Sequence, residues 1–223
     1  MSQPISQISL SRLLPQVFRG MEAAERIQQS AVWLEDTVTL ERGCRLCIQA
    51  ESGSGKSSLL SFIYGNRGDY DGQICFDGQD IRSLDTATWC EIRRRHLALL
   101  PQEMRLFPEL TVMQNLRLKN QLTHHKTEDE MLALLDRLGI ADKAEKPVAQ
   151  LSIGQQQRVA IIRAVCQPFD FILLDEPVSH LDRNNNLIVA EIVAEEATRN
   201  GAGIVSTSVG HGLLLDGAQT ICL

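Results

Sequence analysis

Residues 50–57 read Ala-Glu-Ser-Gly-Ser-Gly-Lys-Ser, between an alternating stretch, CRLCIQA at 44–50, and a helical one, SSLLSFIY at 57–64. A glycine-rich turn between a strand and a helix, ending in Lys-Ser, is a phosphate-binding loop. Gly53 and Gly55 let the backbone turn sharply, so that several N–H groups converge on one phosphate. The helix beginning near Lys56 adds its positive end. The Lys56 ammonium neutralises β- and γ-phosphates, and the Ser57 hydroxyl is suited to magnesium. The candidate nucleotide-binding residues are therefore Ala50, Glu51, Ser52, Gly53, Ser54, Gly55, Lys56, Ser57 and Ser58. Ala50 stands where the motif has its first glycine, a mild change if the local φ is negative.

Downstream, FILLDEP at 171–177 is an unbroken apolar run that ends in two adjacent acids. Such a run reads as a strand buried on both faces, and ligands sit at strand ends in parallel sheets. Asp175 is placed to hold a magnesium ion, directly or through water. Glu176 is placed to polarise the water that attacks a terminal phosphate.

Working outward, the stretch up to about residue 82 reads as short strands and turns around one helix, with GQICFDG at 72–78 a strand bounded by glycines. AVWLEDTVTL at 31–40 also reads as a strand, with Trp33 in a core position. VMQNLRLKNQL at 112–122 and EDEMLALLDRLGI at 128–140 space their apolar residues as helices do, and QQQRVAIIRAVCQ at 155–167 forms a third helix. After FILLDEP come the helix LIVAEIVAEEATR, the strand GIVSTS and a terminal strand QTICL. Strands alternating with helices predict a parallel sheet with crossover connections. The chain ends at that last strand, and no regulatory domain is expected beyond it.

The 223 residues suffice for one α/β domain, and no repeat or long linker divides them. A formal net charge of -6 argues against a broad grip on a nucleic-acid backbone. No apolar run approaches the roughly 20 residues that cross a bilayer, and MSQPISQISL lacks the pattern of a signal peptide. The expected location is cytoplasmic. The six cysteines are then expected to be reduced thiols. Cys44 and Cys47, three apart on a strand, point to opposite faces and cannot readily share a metal.

One further segment separates this chain from other nucleotide enzymes: LSIGQQQR at 151–158, at a helix start upstream of the acidic pair. It resembles the signature motif of ATP-binding cassette (ABC) ATPases, and the resemblance covers nearly the whole chain. PQE at 101–103 is similar to the family's Q-loop, SHLD at 179–182 to its D-loop, and FPELTVMQNL at 107–116 to the segment that meets a permease's coupling helix. The resemblance implies an α/β P-loop core with an N-terminal antiparallel β subdomain and a helical signature subdomain. The whole of 1–223 would be one domain: 1–102 and 151–223 the core with its β subdomain, 103–150 most of the helical part. It implies ATP and Mg²⁺ as cofactors, with Gln102 sensing γ-phosphate and metal, and metal ligation by Ser57, Gln102 and Asp175. Ser152, Gly154 and Gln155 would face the ATP of a second cassette, beside the D-loop's Asp182; a hydroxyl and an open N–H at a helix start suit an anion. Ile153 replaces the signature's second glycine. The partners implied are a membrane permease on a separate chain and a second cassette, identical or paralogous, with no nucleic acid. The place implied is the cytoplasmic face of the bacterial inner membrane. Phe18, in LLPQVFRG, best matches the aromatic that stacks on adenine, with Trp33 as a substitute.

The pattern breaks at one point. The family's switch histidine follows the strand matched by GIVSTS, and that position is Ser208; His211 lies in VGHG, three residues on. Three readings stay open. Ser208 donates to the γ-phosphate with slower turnover, His211 swings back through Gly210 and Gly212, or the site binds ATP with little hydrolysis. Glu176, Gln102 and Asp182 favour retained hydrolysis, with Glu176, Gln102 and Ser208 as the catalytic set. The basic run Arg93, Arg94 and Arg95 before His96 reads either as a solvated face or as a contact with the permease or acidic lipid. Within the family, the short length and FPELTVMQNL look most like lipoprotein-release and macrolide-export ATPases. The rival functions are a nucleotide-dependent regulatory module, and a soluble ABC protein acting on DNA or ribosomes, which would carry insertions or a second cassette absent here.

Overall fold

The computed structural model describes residues 3–223. Four antiparallel strands form one sheet: β1 (Gln7–Pro15), β2 (Val38–Glu41), β4 (Tyr70–Phe76) and β5 (Gln79–Asp80), in the order β2-β1-β4-β5. Five parallel strands form the other: β3 (Arg45–Gln49), β6 (Leu97–Leu100), β7 (Phe171–Asp175), β8 (Gly203–Ser208) and β9 (Gln219–Cys222), in the order β6-β7-β8-β3-β9. Every residue of β7 is buried, as its unbroken apolar run requires of a strand covered on both faces. Successive side chains alternate between the faces. Ile172 and Leu174 join a core with the helices, while Phe171 and Leu173 join a second core with the antiparallel sheet.

The helices are α1 (Glu25–Gln28), α2 (Lys56–Ile63), α3 (Thr86–Arg95), α4 (Val112–Asn120), α5 (Glu128–Arg137), α6 (Ile153–Ala164) and α7 (Arg183–Asn200). The starts of α4, α5 and α6 are fixed by reciprocal caps, Thr111 with Gln114, Thr127 with Glu130 and Ser152 with Gln155. Val112, Met113 and Leu116 of α4 and Met131, Leu134 and Leu135 of α5 pack into the same core as Val159 and Ile162 of α6. The helical lobe thus shares its interior with the face of the parallel sheet that carries Ile172 and Leu174.

Two expectations need correction. Of AVWLEDTVTL only the last three residues lie in a strand, β2. Residues 31–37 turn instead, with Leu34 at φ 63 and its N–H donated to Leu13 O. Trp33 is nevertheless fully buried. The helix Thr86–Arg95 was not expected; it is mostly polar and buries little, and its start is fixed by Asp85, which accepts from Thr88 N at 2.8 Å. This helix also engages the basic run. Arg93 donates to the carbonyls of Tyr64 and Gly65, and Arg94 and Arg95 pair with Glu91.

Candidate nucleotide site

The end of β3 feeds the glycine-rich loop of residues 50–57. Gly53 and Gly55 stand at φ 80 and φ 98, conformations that side-chain-bearing residues rarely adopt. Ala50 is not among the positive-φ residues, so its methyl costs the turn little. Gly55 is the N-cap of α2 and offers no side-chain cap, which leaves the first N–H groups of the helix free for an anion. Trp33 braces the loop from behind, its indole N–H donating to Ser54 O at 3.2 Å.

Lys56 is only 5% exposed. Its ammonium donates to the carbonyls of Ala50 at 3.0 Å and Glu51 at 2.8 Å. Glu176 Oε1 stands 3.8 Å away, across from the end of β7. Burial lowers the Lys56 pKa, and the charges of Glu176 and Asp175 oppose that shift. Asp175 is buried beside β8 and accepts from Thr207 Oγ1 at 2.7 Å.

One cleft of about 300 Å³ gathers Phe18, Ser52, Gly53, Gly55, Lys56, Ser57, Ser58, Gln102 and Glu176, together with Pro15 and Val17. The structure therefore brings the loop, the Q-loop glutamine, the acidic residue and the aromatic to one place. Phe18 is half of a stack already: the Arg26 guanidinium of α1 lies 5.3 Å over its ring. Val17, 71% exposed, is the free apolar surface of this corner. Neither Arg26 nor Val17 stood out in the sequence, because both belong to short helical turns between β1 and β2 that carry no periodic pattern.

The remaining motif residues lie elsewhere. Ser152 caps α6: its hydroxyl accepts from Gln155 N at 3.4 Å, and Gln155 Oε1 accepts from Ser152 N at 3.0 Å. Gly154 abuts the D-loop so closely that a Cβ would lie 2.9 Å from His180 O, which is why that position holds a glycine. Ile153 points outward and is exposed. Asp182 caps α7, accepting from Asn185 N at 2.8 Å, and that bond holds its carboxyl below the usual range. Ser208 is 3% exposed and does not line the cleft; its hydroxyl lies 3.7 Å from Cys47 Sγ. His211 lines a separate depression with Val178, Leu181 and Asn186.

A lysine-bearing glycine loop at the head of a helix, facing acids at the end of a parallel strand one place removed in the sheet, defines a P-loop nucleoside triphosphatase. The chain belongs to the ABC transporter family, whose model matches residues 35–179, and it is one of that family's ATP-binding, ATP-hydrolysing cassettes. It is 30% identical over 189 residues to the uncharacterized ABC transporter ATP-binding protein YbbA of Escherichia coli, covering 83% of this chain and 82% of that one. It is 33% identical over 179 residues to the lipoprotein-releasing system ATP-binding protein LolD of Shewanella frigidimarina, covering 79% and 75%. Against the macrolide export ATP-binding/permease protein MacB of a Shewanella species it is 32% identical over 181 residues, 80% of this chain and 28% of that longer one. A dimeric bacterial ABC transporter cassette shares the fold with TM-score 0.72 at 24% identity, covering 90% of this chain and 87% of that one. An ABC transporter protein of Pyrococcus furiosus does so with TM-score 0.71 at 19% identity, covering 97% and 98%. Among the described residues no helix is long and apolar enough to cross a membrane.

Proposed function

We propose that this cassette binds ATP in the cleft of Phe18, the phosphate loop, Gln102 and Glu176, hydrolyses it, and thereby drives a membrane permease on a separate chain. The observation that carries the reading is the placement of Lys56 Nζ 3.8 Å from Glu176 Oε1, within the cleft that Gln102 also lines. The donor set of Ser57, Gln102 and Asp175 is a hydroxyl, an amide oxygen and a carboxylate, the hard oxygen ligands that suit Mg²⁺. Mg²⁺, when bound there, neutralises charge on the β- and γ-phosphates. Lys56 gives up its loop carbonyls for phosphate oxygens. Glu176, released from Lys56, orients water and takes its proton. Ser152 and Gly154, which do not line this cleft, serve the nucleotide of a second cassette, identical or paralogous, so that ATP closes the pair and hydrolysis reopens it. The site of action is the cytoplasmic face of the bacterial membrane, beside the permease; the formal net charge of -6 argues against a broad grip on nucleic acid. LolD and MacB, by their names, serve lipoprotein release and macrolide export. The sequence likeness to them supports a permease of the lipoprotein-release or macrolide-export type.

A second reading, an ATP-binding switch with little turnover, is favoured by one observation: the Ser208 hydroxyl lies beside Cys47 and lines no part of the cleft. Phosphate release by purified protein with ATP and Mg²⁺ decides between them. Turnover above the Lys56→Ala level, lost in Glu176→Gln, supports the engine. No turnover alone or with its permease, with ATP binding intact, selects the switch.

A further inference from the structure

Glu176 leaves the extended backbone of β7 and stands at φ 48. A non-glycine residue in that region is strained and must be held there by its surroundings. Both of its backbone polar groups are held by side chains. Its N–H donates to Thr207 Oγ1 at 3.2 Å, and its carbonyl accepts from Gln157 Nε2 at 3.0 Å. Gln157 is 3% exposed, and its carboxamide is used at both ends. Nε2 donates also to Ser179 Oγ at 3.2 Å, and Oε1 accepts from His180 N at 3.0 Å. A single buried amide therefore spans the turn from Glu176 to His180.

Gln157 belongs to α6, the helix whose first turn carries Ser152 and Gly154. Within that first turn Gly154 touches the other side of the same loop, at His180 O. The helix is rigid over this distance, because its start is locked by the reciprocal Ser152–Gln155 cap. Any movement imposed on the N-terminus of α6 reaches the carbonyl of Glu176 through Gln157. One hydrogen bond reaches that carbonyl directly, and two more tie the same amide to Ser179 and His180 of the turn.

We propose that Gln157 is a positioning residue for Glu176, and that it couples the signature end of α6 to the catalytic carboxylate of the same chain. The coupling rests on the reading that Ser152 and Gly154 meet the nucleotide of a second cassette. A nucleotide engaging them pulls on α6, and Gln157 sets the angle at which Glu176 faces the cleft. Each site of the pair is then informed of the other's occupancy by one amide.

The test compares Gln157→Leu, which removes all three bonds at similar volume, with Gln157→Glu, which keeps the acceptor for His180 N and loses both donors. Hydrogen exchange is read over 176–182 and over 50–58, with and without ATP, beside kcat and KM. In Gln157→Leu, exchange over 176–182 rises about tenfold while 50–58 is unchanged, because only the local opening is affected. ATP-induced protection over 176–182, present in the wild type, is lost, and Gln157→Glu falls between. The kcat drops between about tenfold and a hundredfold with KM within about twofold, as for a misplaced catalytic group. Unchanged exchange over 176–182 in Gln157→Leu overturns the positioning role, and so does a fall in activity matched by a rise in KM. Absence of ATP-induced protection there in the wild type overturns the coupling. Should the wild type release no phosphate, the ATPase reading fails while the exchange data still decide the role of Gln157.

Discussion

Trp33 and Ser54 are joined across the back of the phosphate loop: the indole N–H donates to the Ser54 carbonyl at 3.2 Å. The same ring closes on the next residue, where a Cβ on Gly55 would lie 3.0 Å from Trp33 Cζ2. Gly55 is thus glycine for two reasons, the ring behind it and its φ of 98. The two are separable. Gly55→Ala is expected to weaken ATP binding at least about tenfold, a cost of about 1.4 kcal/mol that backbone strain alone can reach. Adding Trp33→Phe relieves the contact and leaves the φ, so the double variant should recover only part of the lost affinity. Calorimetric titration with ATP decides; full recovery in the double variant would assign the glycine to packing alone.

The Ser208 hydroxyl faces Cys47 Sγ, and a Cβ on Gly212 would meet that hydroxyl at 3.2 Å. An imidazole at 208 has no room on that side without displacing the 209–212 turn. Ser208→His is therefore expected to behave as an overpacked core, losing about 1–3 kcal/mol and on the order of 5 °C in Tm. Its phosphate release should not exceed the wild type's. A faster, equally stable Ser208→His would show instead that the ring reaches the cleft.

The sequence made the motif chemistry legible because that chemistry is local. Gly53, Gly55 and Lys56 act through a contiguous loop, and FILLDEP announces both its burial and its acids within seven letters. Where function depends on how distant segments meet, the letters were silent. Trp33 read as a strand residue, yet it braces the loop because residues 31–37 turn back instead of pairing. Gln157 sits in a run of three glutamines, and only the fold selects the one whose amide faces Glu176. Ser208 was legible as a departure, while the direction of its hydroxyl is a property of β8's register against β3, where Ser208 pairs with Gln49.

Lys126 and Glu196 form an ion pair at 2.9 Å with side chains 4% and 3% exposed, tying the segment before α5 to the last turns of α7. Asn120 locks Lys126 in place from both sides, donating to its carbonyl at 2.7 Å and accepting its N–H at 2.8 Å. Lys126→Met leaves the buried Glu196 with only the exposed Arg199 at 3.0 Å, so it should destabilise by about 3 kcal/mol, the low end for a broken buried pair. That is on the order of 10 °C in Tm for a chain of this size. Lys126→Met with Glu196→Leu should regain most of it, since Arg199, the other partner of Glu196, is largely exposed and loses little. Thermal melts of the two singles and the double settle it; additive losses would mean that the two residues act independently.

The thiols differ in environment in a way that labelling can read. Cys90 and Cys222 are exposed, whereas Cys166 is fully buried and its pKa is pushed up to about 12 by that burial. At pH 8 its thiolate fraction is therefore about one in ten thousand, and the thiolate is the reacting species. Brief alkylation of the folded protein at pH 8, followed by peptide mass spectrometry, should mark Cys90 and Cys222 and leave Cys166 unmodified. All six cysteines should react once denaturant opens the chain. Labelling of Cys166 at the rate of Cys222 in the folded protein would mean that the core around it opens readily. That outcome would contradict the placement of Cys166 beside Val165 and Phe169 in the core that the helical lobe shares with the sheet.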